Sequence, residues 1–324
     1  MLKILKGGLQ TTVQDLGRSG FQKYGVIASG AMDPFAHRIA NLLVGNAEQE
    51  ATLEIALVGP AIEFQEQTFI AICGADLSPE IDGSPVKLWR TLSVNKGSVL
   101  KFGAPRSGCR TYLAIAGGIS LTSVMNSKST YLRAGIGGFK GRALAAGDEL
   151  QIEKLRDEAA DALAKAAHQE VEWQVPAYRY STEPVVRLMR GRQFHLFDDM
   201  SQKQLFTEAF SISTDSDRMG YRLEGPRLSL IEPKELISEA VAFGSIQVPA
   251  DGNPIILLAD RQTTGGYPKI GQIASVDLPL ATQLKPGDRI RFKEITLEEA
   301  QNLFLEQEQQ IRQLKLGIQL KREE

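Results

Sequence analysis

Short runs of Val, Ile, Leu, Thr and Phe recur along the chain, cut at intervals by glycines and prolines, and this rhythm predicts β-strands. Strands are expected at Phe69–Cys73, Ser98–Phe102, Thr111–Ala116, Val185–Met189, Leu228–Leu230 and Ile255–Leu258. Three segments share one design: KGSVLKFG at 96–103, AGDELQIE at 146–153 and PGDRIRFK at 286–293. In each, a glycine beside a small or acidic residue makes a tight turn and an alternating strand follows. Ile290 and Phe292 then face inward, Arg289 and Arg291 outward. These hairpins predict units of barrel or sandwich type.

Helical patterns are few. Asp33 caps and Pro34 opens a helix whose apolar face is Ile39, Leu42 and Leu43, with Gly45 as its stop. A second is expected from Ser201, paired with Gln204, to about Ala209. Residues 156–170 are Ala-rich and charged, which makes 156–184 a helical connector between an N-terminal lobe (1–155) and a C-terminal lobe (185–295). A final amphipathic helix occupies the tail, 296–324, and suits either the chain's own body or a partner protein.

Composition narrows the function classes. Lys and Arg number 37 against 39 Asp and Glu, a net charge of −2, so nothing in the bulk electrostatics points to nucleic acid or a membrane surface. No apolar run reaches the ~18 residues of a membrane span, and the first residues turn polar too soon for a signal peptide. Two cysteines, Cys73 and Cys109, exclude a disulfide framework and read as buried thiols. A cytoplasmic protein is expected.

Several catalytic devices are missing. No phosphate loop ends in Gly-Lys-Ser/Thr, and GIGGFKG at 135–141 fails the dinucleotide spacing because Lys140 stands at the third glycine position. No G-x-S-x-G elbow occurs. Three histidines cannot build a His-rich metal site; His37 and His168 read as surface residues, and His195 has Asp198 and Asp199 nearby to orient it. What remains is five polar, glycine-rich loops at 11–20, 25–33, 127–142, 216–225 and 249–271. Four of them pair an Arg with a hydroxyl, amide or acid: Arg18 with Gln14, Arg133 with Ser129, Arg218 with Asp217, and Arg261 with Gln262 and Thr263. Glycines let backbone N–H groups converge on an anion, and a guanidinium matches carboxylate or phosphate. Together the loops predict a cleft for a small anionic substrate; the alternative is ordinary barrel turns tied down by Asp–Arg pairs.

The strings TTVQDLGRSGFQKYGVIASGAMDPFAHRIANLLVGN, KSTYLRAGIGGFKGRAL, SDRMGYRLEG and ADRQTTGGYPKIG closely resemble the Kip-antagonist family, also described as the C subunit of bacterial 5-oxoprolinase and as the allophanate hydrolase subunit 2 domain. The resemblance runs from about Leu2 to about Phe292; the tail beyond Ile295 matches no motif. It implies a mainly β fold with a few helices, in two cyclophilin-like β-barrel lobes. It implies a hetero-oligomer with the family's B subunit, a Kip-inhibitor-like protein, and with a lactamase-like A subunit, which together open 5-oxoproline to glutamate using ATP. Without a phosphate loop, ATP is expected at a site shared with the B subunit, with Mg2+ as its candidate companion. The same domain belongs to biotin-dependent carboxyltransferases, but no Met is followed by Lys, so no covalently attached biotin is expected. Opening the lactam requires a carboxylate clamp, cations for phosphoryl charge and donors near the lactam oxygen. On that basis Arg218, Arg222 and Arg261 are candidates for the clamp and Asp15 or Asp260 for a metal ligand or base, with Gln262 beside them. Substrate-binding candidates are Thr12, Gln14, Asp15, Arg18, Ser29, Arg133, Thr263, Thr264, Gly265, Gly266 and Tyr267. Competing readings are a regulatory antagonist of the Kip inhibitor of a sporulation sensor kinase, and a carboxyltransferase acting with a biotin carrier.

Overall fold

The computed structural model describes residues 1–153, 175–176 and 178–323, and the chain divides into two units. One comprises Met1–Arg18, Ser29–Arg179 and Gln309–Glu324; the other comprises Ser19–Ala28 and Tyr180–Glu308. The expected connector helix at 156–170, and His168 within it, lie outside the described residues.

In the first unit two antiparallel sheets share one core. The first runs in the order Glu149–Leu150, Leu2–Lys6, Ala61–Phe64, Val99–Lys101, Glu80–Ile81 and Ser84–Pro85. The second runs Gln10–Gln14, Thr52–Ala56, Ser107–Ile115, Thr68–Asp76 and Thr91–Val94. Leu2, Ile4, Ile62 and Phe64 from one sheet pack with Leu53, Ile70, Ile72 and Leu113 from the other. The opposite face of the second sheet, with Phe69, Ala71, Tyr112 and Ala114, packs against the helix Pro34–Leu43 and against Ile311 and Ile318 of the helix Leu297–Glu323. Covering both faces explains why the strand Thr68–Asp76 is apolar at successive positions instead of alternating. Cys73 and Cys109 are buried and unpaired, as expected.

The helix Pro34–Leu43 starts as its sequence predicts: the Asp33 carboxylate accepts the Ala36 N–H at 2.9 Å and Pro34 fills the first position. The Asp33 N–H donates to the Tyr112 hydroxyl (2.8 Å), which donates to Glu54 Oε2 (2.8 Å), and Glu54 Oε2 also accepts the Met32 N–H (2.9 Å). His37 is not on the surface. It is fully buried, its Nδ1 lies 2.9 Å from Thr52 Oγ1, and desolvation lowers its pKa to about 4 against the opposing pull of Asp15 and Glu54.

The second unit is a closed barrel of seven strands: Val185–Arg190, Lys269–Ile273, Ser245–Gln247, Ile255–Leu257, Gly220–Glu224, Ala209–Ile212 and Arg289–Glu294. The ring closes where Val186 meets Phe292 in its parallel pairing. Along Arg289–Glu294, Ile290 and Phe292 face in while Arg289 is exposed, the alternation the sequence predicts. The three repeated turns hold their glycines at positive φ: Gly97 at 86°, Gly147 at 90° and Gly287 at 89°. The expectation of a mainly β chain with a few helices therefore holds.

Two expected elements differ, and the tail helix forms as predicted. Leu228–Leu230 is no strand; Leu230 makes only an isolated bridge to Phe197. The helix expected from Ser201 spans Asp199–Thr207, because Asp198 is the cap that accepts the Ser201 N–H (2.7 Å), and it ends before the strand Ala209–Ile212. The tail helix opens on a reciprocal capping box, Thr296 N–H to Glu299 Oε2 (2.6 Å) and Glu299 N–H to Thr296 Oγ1 (3.1 Å). Its Ala300 joins Ala274 and Val276 of the second unit, and its Ile311 and Ile318 are buried in the first. No described helix is long and apolar enough to cross a membrane.

The glycines of GIGGFKG serve packing. Gly137 sits at φ 68°, and a Cβ there would strike the Arg18 guanidinium and the Ser129 carbonyl. Gly137→Ala therefore costs about 2 kcal/mol or more in urea unfolding, whereas Gly97→Ala, with open space around it, costs only about 1 kcal/mol of backbone strain. Equal losses would contradict the steric account. A second expectation concerns pH. His37 must stay neutral in the folded state, so its contribution is present above pH 6.5 and is lost as pH falls towards 4. Between pH 7 and pH 5 the wild type should lose about 2 kcal/mol more stability than His37→Gln, measured by urea unfolding at each pH. Parallel losses would show that His37 is not the proton acceptor.

Candidate functional site

The strand Gln10–Gln14 delivers Gln14, Asp15 and Arg18 into the interior of the first unit. Asp15 accepts the Ser127 (2.7 Å) and Ser129 (2.5 Å) hydroxyls and the Gly17 (2.8 Å) and Lys128 (2.5 Å) N–H groups. With four donors on it, the carboxylate ties two loops together. Arg18 is fully buried, donating to the Val124 carbonyl (3.2 Å) and to the Ser129 carbonyl, and it too ties loop to loop. Gln14 Nε2 donates to Thr12 Oγ1 (3.0 Å) and to the Thr130 carbonyl (3.2 Å). Ser29 is buried in left-handed backbone (φ 55°). Arg133 is exposed.

In the barrel unit the turn after the strand Ile255–Leu257 carries Asp260, Arg261 and Gln262. Arg218 and Asp260 are both buried and form a forked pair, Nε to Oδ2 at 3.0 Å and Nη2 to Oδ1 at 3.2 Å. Asp217, the expected companion of Arg218, accepts the Met219 N–H (2.7 Å). Arg218 therefore acts as a strut inside the barrel, with each oxygen of Asp260 accepting from its guanidinium. Arg261 differs. Its Nε donates to the Val241 carbonyl (3.3 Å), its Nη1 to the Leu258 carbonyl (3.2 Å), and the guanidinium lies over the Phe243 ring, 5.8 Å from its centre. No carboxylate pairs with it among the described residues, and burial lowers its pKa. It is a cation oriented by two carbonyls. Arg222 points outward from the strand Gly220–Glu224, and Gln262 is exposed.

Thr264–Gly265 pairs with Glu239–Ala240, and the Thr263 carbonyl accepts the Val241 N–H (3.2 Å), so the TTGG run frames the turn that holds Arg261. Gly266 and the half-exposed Tyr267 continue into a cavity of about 810 Å3, whose wall comprises segments from 227–236, 248–252 and 266–268. The sequence reading includes Gly266 and Tyr267 but misses Arg227 and Lys234, which lie in the proline-punctuated run GPRLSLIEPKEL. That run is the available signal: cations interleaved with apolar residues in a loop. Asp198 caps a helix, so it is committed away from His195, which is exposed. Among the described residues no cluster of three His, Cys, Asp or Glu side chains could hold a metal ion.

The chain is 38% identical over 303 residues to the C subunit of 5-oxoprolinase from Haemophilus influenzae, covering 94% of each. It is 40% identical over 314 residues to the C subunit of 5-oxoprolinase from Escherichia coli, covering 97% of each. Its structure matches the crystal structure of the K. lactis urea amidolyase with a TM-score of 0.86 at 28% identity, covering 96% of this chain and 20% of that one. Residues 24–294 match the family model described as carboxyltransferase domain, subdomain A and B. The chain belongs to this carboxyltransferase-domain family.

Proposed function

We propose that the chain is the C-type subunit of an ATP-dependent 5-oxoprolinase, a hydrolase complex that opens 5-oxoproline to glutamate and is active only with subunits of the B and A types. The observation that carries this reading is the end-to-end likeness to two 5-oxoprolinase C subunits, which leaves no large segment of either unmatched. The chemistry of the barrel site agrees with it. Amide resonance makes direct attack of water on a lactam slow, and ATP supplies activation of the lactam oxygen. The substrate also carries a carboxylate, and Arg261 offers a guanidinium fixed by two carbonyls and unshared with any acid among the described residues. A cation held this way orients the ring without reorganising when substrate arrives. Arg218 and Asp260 act through it as positioning residues, because the Asp260 N–H donates to the Arg218 carbonyl (2.9 Å) and the side chains close the same contact.

The urea amidolyase likeness favours a second reading, carboxyl transfer from a separate biotin carrier. The two separate by assay. In a reconstitution of the three subunits, 5-oxoproline turnover should vanish when this chain is omitted; turnover indifferent to the chain would remove it from the enzyme. Within the complete complex Arg261→Ala should lower turnover about 100-fold. An unchanged rate would take Arg261 out of the site.

A further inference from the structure

The cavity at the end of the barrel is too large for the lactam acid. A molecule of about nine non-hydrogen atoms occupies a minor part of 810 Å3, a volume in the range that holds drug-sized ligands. Its walls are preformed: the Leu228 N–H donates to the Gly252 carbonyl (2.9 Å), the Val248 N–H to the Pro268 carbonyl (3.0 Å), and Gln247 Nε2 to the Tyr267 carbonyl (3.2 Å). Gly252, at φ 79°, lets the chain pass so close that a Cβ would lie 3.0 Å from Arg227 Cβ. Apolar surface from Leu228, Val248 and Pro268 adjoins the half-exposed Tyr267 ring, and Arg227, Lys234, Glu235 and Asp251 supply charge to the same cavity. An apolar surface with an aromatic ring, beside two cations and two carboxylates, suits a ligand with a planar base, a sugar whose hydroxyls donate to acids, and phosphates.

We infer that this cavity is the adenine-nucleotide site of the complex. Tyr267 and Pro268 face the base, Glu235 accepts from ribose hydroxyls, and Arg227 and Lys234 hold phosphate oxygens. This rests on the 5-oxoprolinase reading, since the nucleotide is the one reactant of that reaction large enough for the space. A site built from base and phosphate contacts on loops also fits a chain without a phosphate loop.

The test is photolabelling of the reconstituted three-subunit complex with 8-azido-ATP, with labelled peptides mapped by mass spectrometry and lactam hydrolysis measured on the same sample. Label is expected in peptides spanning 227–236 or 266–268, competed away by ATP. Arg227→Glu combined with Lys234→Glu should reduce it at least tenfold. Tyr267→Ala, at an exposed side chain, provides the check should the double variant fold poorly, and should reduce label at the same peptides. Label confined to the other two proteins, or unaffected by these substitutions, would overturn the assignment. Hydrolysis with label elsewhere sinks the nucleotide site and leaves the enzyme reading standing. ATP-competed label in the cavity without hydrolysis sinks the enzyme reading and leaves the nucleotide site standing.

Discussion

Asp260 and Arg261 are neighbours of opposite charge, and the arrangement of the barrel site depends on their not neutralising each other. Arg218 takes both oxygens of Asp260 inside the barrel, at 3.0 and 3.2 Å, and among the described residues no carboxylate pairs with Arg261. Neither member of that pair is dispensable, because removing one partner of a buried ion pair leaves a stranded charge at a cost of about 3–5 kcal/mol. The pair adds little stability compared with a well-packed apolar alternative. What it provides is placement: it fixes the turn from which Arg261 reaches the Val241 and Leu258 carbonyls.

The barrel supplies the frame for that turn. Closing the ring through the parallel contact of Val186 with Phe292 leaves it without free edges, so loops such as 258–268 spring from strands whose hydrogen bonds are already met. The same loop then reaches the cavity through Gly266 and Tyr267, so Arg261 and the large cavity belong to one stretch of chain. In the first unit the polar loops do the reverse. Ser129 gives its hydroxyl to Asp15 and its carbonyl to Arg18, and these contacts hold loops together in the interior.

Much of this is legible without coordinates. The Gly-turn-strand segments, the Asp33–Pro34 helix start and the Ile290/Phe292 alternation rest on local chemistry, and local chemistry is what sequence records. The errors have physical causes. Asp198 outcompetes Ser201 as a cap because it stands three residues before the N–H it accepts, a choice that two adjacent cap signals leave open. His37 reads as a surface residue when the helix is given one apolar face, while both the second sheet and the tail helix contribute to the core around that helix. The role of each arginine is the least legible part. Arg18, Arg218 and Arg261 all stand in glycine-rich loops, and only long-range partners, 106 residues away for Val124 and 42 for Asp260, distinguish the two struts from Arg261.

The difference between those arginines can be read directly by phenylglyoxal modification of the active complex followed by mass spectrometry, with and without 5-oxoproline. Arg261 should react in the free complex and be protected by 5-oxoproline, while Arg218, sealed against Asp260, stays unmodified in both. Modification of Arg261 to the same extent with and without 5-oxoproline, or reaction at Arg218 in its place, would contradict the account.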